Sequence, residues 1–123
     1  MTEQDIITRV WLHLNAQGKR AMGDNGCQYR TKAGLACAVG CFLDDATAVA
    51  ADKQDFASIG AIAHECRGLL PADLLPHVPF LGNLQRRHDT SYENLGGTWL
   101  DNWRDAMRNL AHDRGLTLPE VAT

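Results

Sequence analysis

Ile6, Ile7, Val10, Trp11 and Leu14 recur at the three-and-four spacing that puts side chains on one face of a helix. Thr2 precedes that run with Asp5 three residues on, a capping-box pattern, and Glu3 adds negative charge at the positive helix end. Gly18 follows the last apolar turn as a terminator. The pattern predicts a helix over Glu3–Gln17. A second apolar line, Phe80, Leu81, Leu84 and His88 with Pro79 in the first turn, predicts Phe80–His88. Thr98 with Asp101 marks the start of a third, Trp99–Arg114, with Trp99, Trp103, Ala106, Met107 and Leu110 inside and Gly115 closing it. Phe56, Ile59, Ile62, Ala63 and Cys66 predict one more over Phe56–Arg67, ended by Gly68. Asp44-Asp45 can cap the Ala-rich stretch Ala46 to Ala51, and Pro71 and Pro76 bracket a short turn around Leu74 and Leu75.

The periodicity fails between Lys19 and Leu43. Gly23-Asp24-Asn25-Gly26 has loop composition, and it lacks the alternating acids and final Glu of a calcium loop. Cys27 to Arg30 suits a short strand, with Thr31-Lys32-Ala33-Gly34 as its turn. Leu35 to Leu43 is apolar and fits strand or helix equally. The expected fold is mostly α, of the α+β kind: a compact helical domain with a small central β-hairpin or an irregular Cys-rich insertion. One domain is expected over residues 1–123, with Val10, Trp11, Leu14, Val39, Ile59, Ile62, Leu84, Trp103, Met107 and Leu110 in its core. Trp99, beside Gly96-Gly97, is the tryptophan expected to be partly exposed.

Composition narrows the function classes. An apolar fraction of 45% and a charged fraction of 22% are those of a folded chain. The net charge is −3 and the arginines are scattered among acids, so bulk nucleic acid finds no basic stripe to bind. That balance favours a protein partner or a small ligand, and leaves self-association open. No apolar run approaches the ~20 residues of a membrane span. The acidic start Met1-Thr2-Glu3-Gln4-Asp5 is unlike an export signal, so a cytoplasmic location is expected, with reduced thiols.

Cys27-x-Tyr29-Arg30, Gly34-Leu35-x-Cys37-Ala38-Val39-Gly40-Cys41, Leu84-Gln85-x-x-His88-Asp89, Trp103 and Arg114-Gly115-Leu116 together resemble a small uncharacterised family borne by phages and prophages. The resemblance runs from the first helix to the last. It implies a phage-associated protein but brings no reaction, ligand or cofactor. Phe42-Leu43-Asp44-Asp45 departs from the family's pattern, which has a proline before the acid.

Two chemistries compete for the Cys-rich segment. Cys27, Cys37 and Cys41 with His64, Cys66, His77 or His88 would supply four zinc ligands, though no Cys-x-x-Cys knuckle is present. Cys37 as nucleophile with His88 as base, and Asp89 or Asn83 as orienter, would make a hydrolase or transferase. Against both, cysteines among Ala, Val and Leu are ordinary core residues, and a histidine on an inward stripe is ordinarily a hydrogen-bonded one. No metal, cofactor or catalytic residue is therefore assigned. The favoured expectation is a non-enzymatic protein-interaction module acting on a host or phage protein. Its contact residues are Tyr29, Arg30 and Lys32 on the central turn with Arg86, Arg87 and Tyr92 near a helix end, because arginine and aromatic side chains dominate interface energetics.

Overall fold

A computed structural model describes residues 1–23, 26–53, 71–91 and 97–121. Among them are four α-helices: α1 (Glu3–Gln17), α2 (Asp45–Lys53), α3 (Val78–Thr90) and α4 (Trp99–Arg114). α1 and α4 begin alike. The Thr2 hydroxyl accepts the Asp5 N–H at 3.1 Å while the Asp5 carboxylate accepts the Thr2 N–H at 2.9 Å. Thr98 and Asp101 repeat the exchange. Both helices end on a left-handed glycine, Gly18 (φ 75°) and Gly115 (φ 67°). The Asp44 carboxylate accepts the Thr47 N–H at 2.7 Å at the start of α2. A 3₁₀ segment, Ala72–His77, contains Pro76 and leads directly into α3. The helix expected over Phe56–Arg67, with Ile59 and Ile62, lies outside the described residues.

The apolar faces of α1, α3 and α4 meet in one core. Ile6, Ile7, Val10 and Leu14 face Leu81, Leu84, Trp103 and Met107, all buried. Three indoles stack through it. Trp11 and Trp103 lie 5.3 Å apart between centroids, Trp103 and Trp99 5.6 Å, and the His88 ring meets Trp99 edge-on at 5.6 Å. Trp99 is therefore not the exposed tryptophan that its glycine neighbours suggest. Only 3% of it is accessible, because the ring stacks on Trp103 and its Nε1 donates to the His88 carbonyl at 2.9 Å. On the outer face of α4, Arg108 pairs with Asp105 three residues before it. Arg104 donates to Asn15 of α1 at 2.6 Å.

The central segment is irregular. A two-residue antiparallel pair, β1 (Met22–Gly23) with β2 (Gly26–Cys27), precedes it, and one isolated bridge joins Arg30 to Ala36. Among the described residues, the hairpin expected from Cys27 to Arg30 about the Thr31-Lys32-Ala33-Gly34 turn is not formed beyond that single bridge, and side chains take backbone groups that a ladder would use. The Asp52 carboxylate accepts both the Tyr29 and the Arg30 N–H, at 2.9 and 3.1 Å. Gln17 accepts the Ala36 N–H at 2.9 Å and donates to the Ala36 carbonyl at 3.0 Å.

Beyond Gly115 the chain returns as a strap against α1. Leu116, Leu118 and Val121 pack against the core, and the strap is bonded to Gln4 and Trp11. Among the described residues no helix is long and apolar enough to cross a membrane.

Candidate functional site

Residues 27–45 contain the densest chemistry in the sequence, and most of it is turned inward. The Arg30 guanidinium donates to the carbonyls of Gly40 (3.1 Å) and Leu43 (3.0 Å) and pairs with Asp45. It thus caps the 3₁₀ turn Gly40–Phe42. Gly40 sits directly against the Tyr29 backbone, where a Cβ would lie 2.0 Å from the Tyr29 carbonyl oxygen. Tyr29 is only 7% accessible, and burial pushes its phenol pKa upward. It cannot present its ring to a partner as expected. Its backbone is held by residues distant in sequence: Asp52 accepts its N–H and Gly40 packs against it.

Cys37 is fully buried, and its sulfur accepts the Gly40 N–H at 3.2 Å. Desolvation pushes its thiol pKa far up, which leaves it protonated and inert. The Cys41 thiol donates to the Ala38 carbonyl at 3.1 Å; burial raises its pKa to about 11, with Arg9 opposing. Thiol labelling separates the two. Cys41 should react slowly near neutrality and speed up about tenfold per pH unit as its thiolate grows, while Cys37 stays protected until the protein unfolds. Peptide mapping of the labelled sites is the check, and rapid labelling of Cys37 in native protein would contradict its burial.

His88 lies at the centre of a chain of hydrogen bonds. The Val39 N–H donates to Gln85 Oε1 at 3.0 Å, and Gln85 Nε2 donates to Asp89 Oδ1 at 2.9 Å. Asp89 Oδ1 also meets His88 Nδ1 at 2.7 Å, and His88 Nε2 meets the Ala21 N–H at 3.0 Å. An amide N–H only donates, so Nε2 carries the lone pair and Nδ1 the proton: His88 is a neutral imidazole of defined tautomer. Asp89 does orient the ring, because α3 ends one residue later and its carboxylate can turn back. The nitrogen that a general base would use is nevertheless occupied by backbone, and the Cys37 sulfur is engaged by Gly40. This arrangement ties the segments around Ala21 and Val39 to α3.

The zinc candidates are also dispersed. Cys37 and Cys41 bond within their own turn, and His77 Nε2 meets the Met1 carbonyl at 2.6 Å at the amino-terminal end. No group of three metal-ligating side chains forms among the described residues. The Cys27 side chain, His64 and Cys66 lie outside them.

The proposed contact residues divide between two places. Gln85, on one flank of α3, docks on the Cys-rich segment. Arg87 stands two residues on, about 200° round the helix axis. It is half-buried, bonded to Asn83 and within the field of Asp113 on α4. Arg86 is exposed on the outer face between these flanks, and Tyr92 lies outside the described residues. Arg86 and Arg87 therefore do not extend the surface of the central turn. What the turn does form with α2 is an open groove of ≈ 320 Å³ lined by Gln28, Arg30, Thr31, Lys32, Val49 and Asp52. Lys32 is exposed there and Val49 is 43% accessible.

Asp52, Gln17 and His13, whose ring meets the Ala36 carbonyl at 2.9 Å, hold the segment in place but belong to no motif. Gln85 was visible only as part of the Leu84-Gln85-x-x-His88-Asp89 pattern. Compared with known proteins, the chain matches no family model, no curated protein and no solved structure.

Proposed function

We propose that this chain is a non-enzymatic protein-interaction module that works in the cytoplasm on a host or phage protein, the setting implied by the phage-borne family it resembles. One observation carries the reading. The groove between the central turn and α2 sets an exposed apolar side chain, Val49, beside an exposed cation, Lys32. Its floor is fixed by the Asp52 bonds to the Tyr29 and Arg30 N–H groups and by the Arg30 cap. A rim mixing apolar and charged side chains is the composition of protein contact surfaces. The occupied nitrogens of His88 and the buried Cys37 support the same reading, since they leave the thiol without a base.

The test is capture of a partner on the immobilised protein. Lys32→Glu and Val49→Asp should each weaken specific capture by about tenfold or more, the loss of ~1.4 kcal/mol of contact. Both are surface changes, worth within about 0.5 kcal/mol in folding, so melting temperatures should barely move. Tyr29→Ala should instead lower the melting temperature, because its ring is buried. Capture unaffected by either groove substitution would refute this surface. Activity lost in a folded Cys37→Ser protein would favour an enzyme.

A further inference from the structure

Two glutamines of α1 hold extended backbone in the same manner. Gln17 accepts from the Ala36 N–H and donates to the Ala36 carbonyl. Gln4 accepts from the Thr117 N–H at 3.0 Å and donates to the Thr117 carbonyl at 2.9 Å. A primary amide offers both an acceptor and donors, so one side chain satisfies one extended residue as a neighbouring strand would.

At Thr117 this grip is part of a longer seat. Trp11, about two helical turns from Gln4, donates its Nε1 to the Pro119 carbonyl at 2.7 Å. Leu116, Leu118 and Val121 press on the core while Thr117 and Glu120 face solvent. Backbone bonds that ignore sequence, combined with a few apolar side chains set into the core, here Leu116, Leu118 and Val121, are elements of peptide recognition. Beside the strap an opening of ≈ 410 Å³ remains, walled by Trp11, Arg104 and Arg108 on the helices and by Leu118 and Val121 of the strap.

We infer that the α1–α4 face is a peptide-docking groove and that residues 116–121 are its built-in occupant. Its external ligand is a peptide with apolar side chains spaced as Leu116, Leu118 and Val121 are, whose backbone Gln4 and Trp11 take over from the strap. Two features fit displacement. The strap leaves α4 at Gly115, whose left-handed turn stands in open space. Its bonds to Gln4 lie at the surface. Arg104 and Arg108, which wall the opening, are held by Asn15 and Asp105, so the opening keeps its shape beside the strap.

The experiment titrates a fluorescent peptide of residues 115–121 into the full-length chain and into full-length Thr117→Pro, which loses the N–H that Gln4 accepts. A tethered strap competes at roughly millimolar effective concentration, so the Thr117→Pro chain should bind the peptide at least about tenfold more tightly than the wild type. Leu118→Ser releases the strap by a second route and should give the same gain. Adding Gln4→Ala should abolish it, and a peptide that itself carries Thr117→Pro should bind neither chain. Equal affinity for wild-type and released chains, or binding to neither released variant while both stay folded, would overturn the inference.

Discussion

Gly40→Ala protein is expected to lose at least ~3 kcal/mol of folding stability, more than overpacking of a core usually costs. The new methyl would sit 2.0 Å from the Tyr29 carbonyl oxygen and 2.9 Å from its carbonyl carbon. Both are backbone atoms, and neither can rotate aside as a side chain would. The Tyr29 backbone is pinned from the other side by Asp52, and the Gly40 carbonyl by Arg30. Relief would therefore break two or more of these bonds at once. Gly40 is not at a positive φ, so the demand is for space and not for a glycine-only dihedral. With ~5–15 kcal/mol holding a domain of this kind together, the expected result is a melting temperature lower by about 10 °C or more. A melting temperature equal to the wild type would mean that the turn does not pack against Tyr29 in solution.

His88→Ala should cost a similar ~3–5 kcal/mol, combining a core cavity with a stranded polar group. The substitution leaves the buried Ala21 N–H without its acceptor and removes the ring from the edge of Trp99. It also frees one of the bonds on Asp89 Oδ1, which Gln85 shares. Chemical denaturation is the measurement. A His88→Ala protein of near wild-type stability would remove the structural role given to the ring and restore His88 as a candidate base.

The helices were legible in the sequence wherever their ends carry chemistry. Thr2 with Asp5 and Thr98 with Asp101 set the starts of α1 and α4, Gly18 and Gly115 their ends, and the observed boundaries coincide with those predicted. α3 begins at Val78, two residues before the predicted Phe80, because the turn over Ala72–His77 runs straight into it. Leu84, Met107 and the other described helical members of the expected core are buried, since helical spacing reports burial directly; Val39 is buried within its apolar run. Periodicity could not give the form of the Cys-rich segment. Its shape comes from side chains distant in sequence: Gln17, Asp52 and Gln85 bond to Ala36, Tyr29, Arg30 and Val39 across separations of 19 to 46 residues. No local pattern encodes such pairs. Tyr29 and Trp99 were placed outward for the same reason, because what draws each inward is a partner elsewhere in the chain.

The stack of Trp11, Trp103 and Trp99 has an optical consequence. Indoles in face-to-face contact share excitation, so the tryptophan emission of the native protein comes from a coupled set and not from three independent reporters. One end of that set is tied to the carboxy-terminal strap through Pro119, and the other to α3 through the His88 carbonyl. A disturbance at either end changes the surroundings of the shared chromophore. Its ultraviolet circular dichroism and emission anisotropy therefore register events at opposite sides of the core in a single signal.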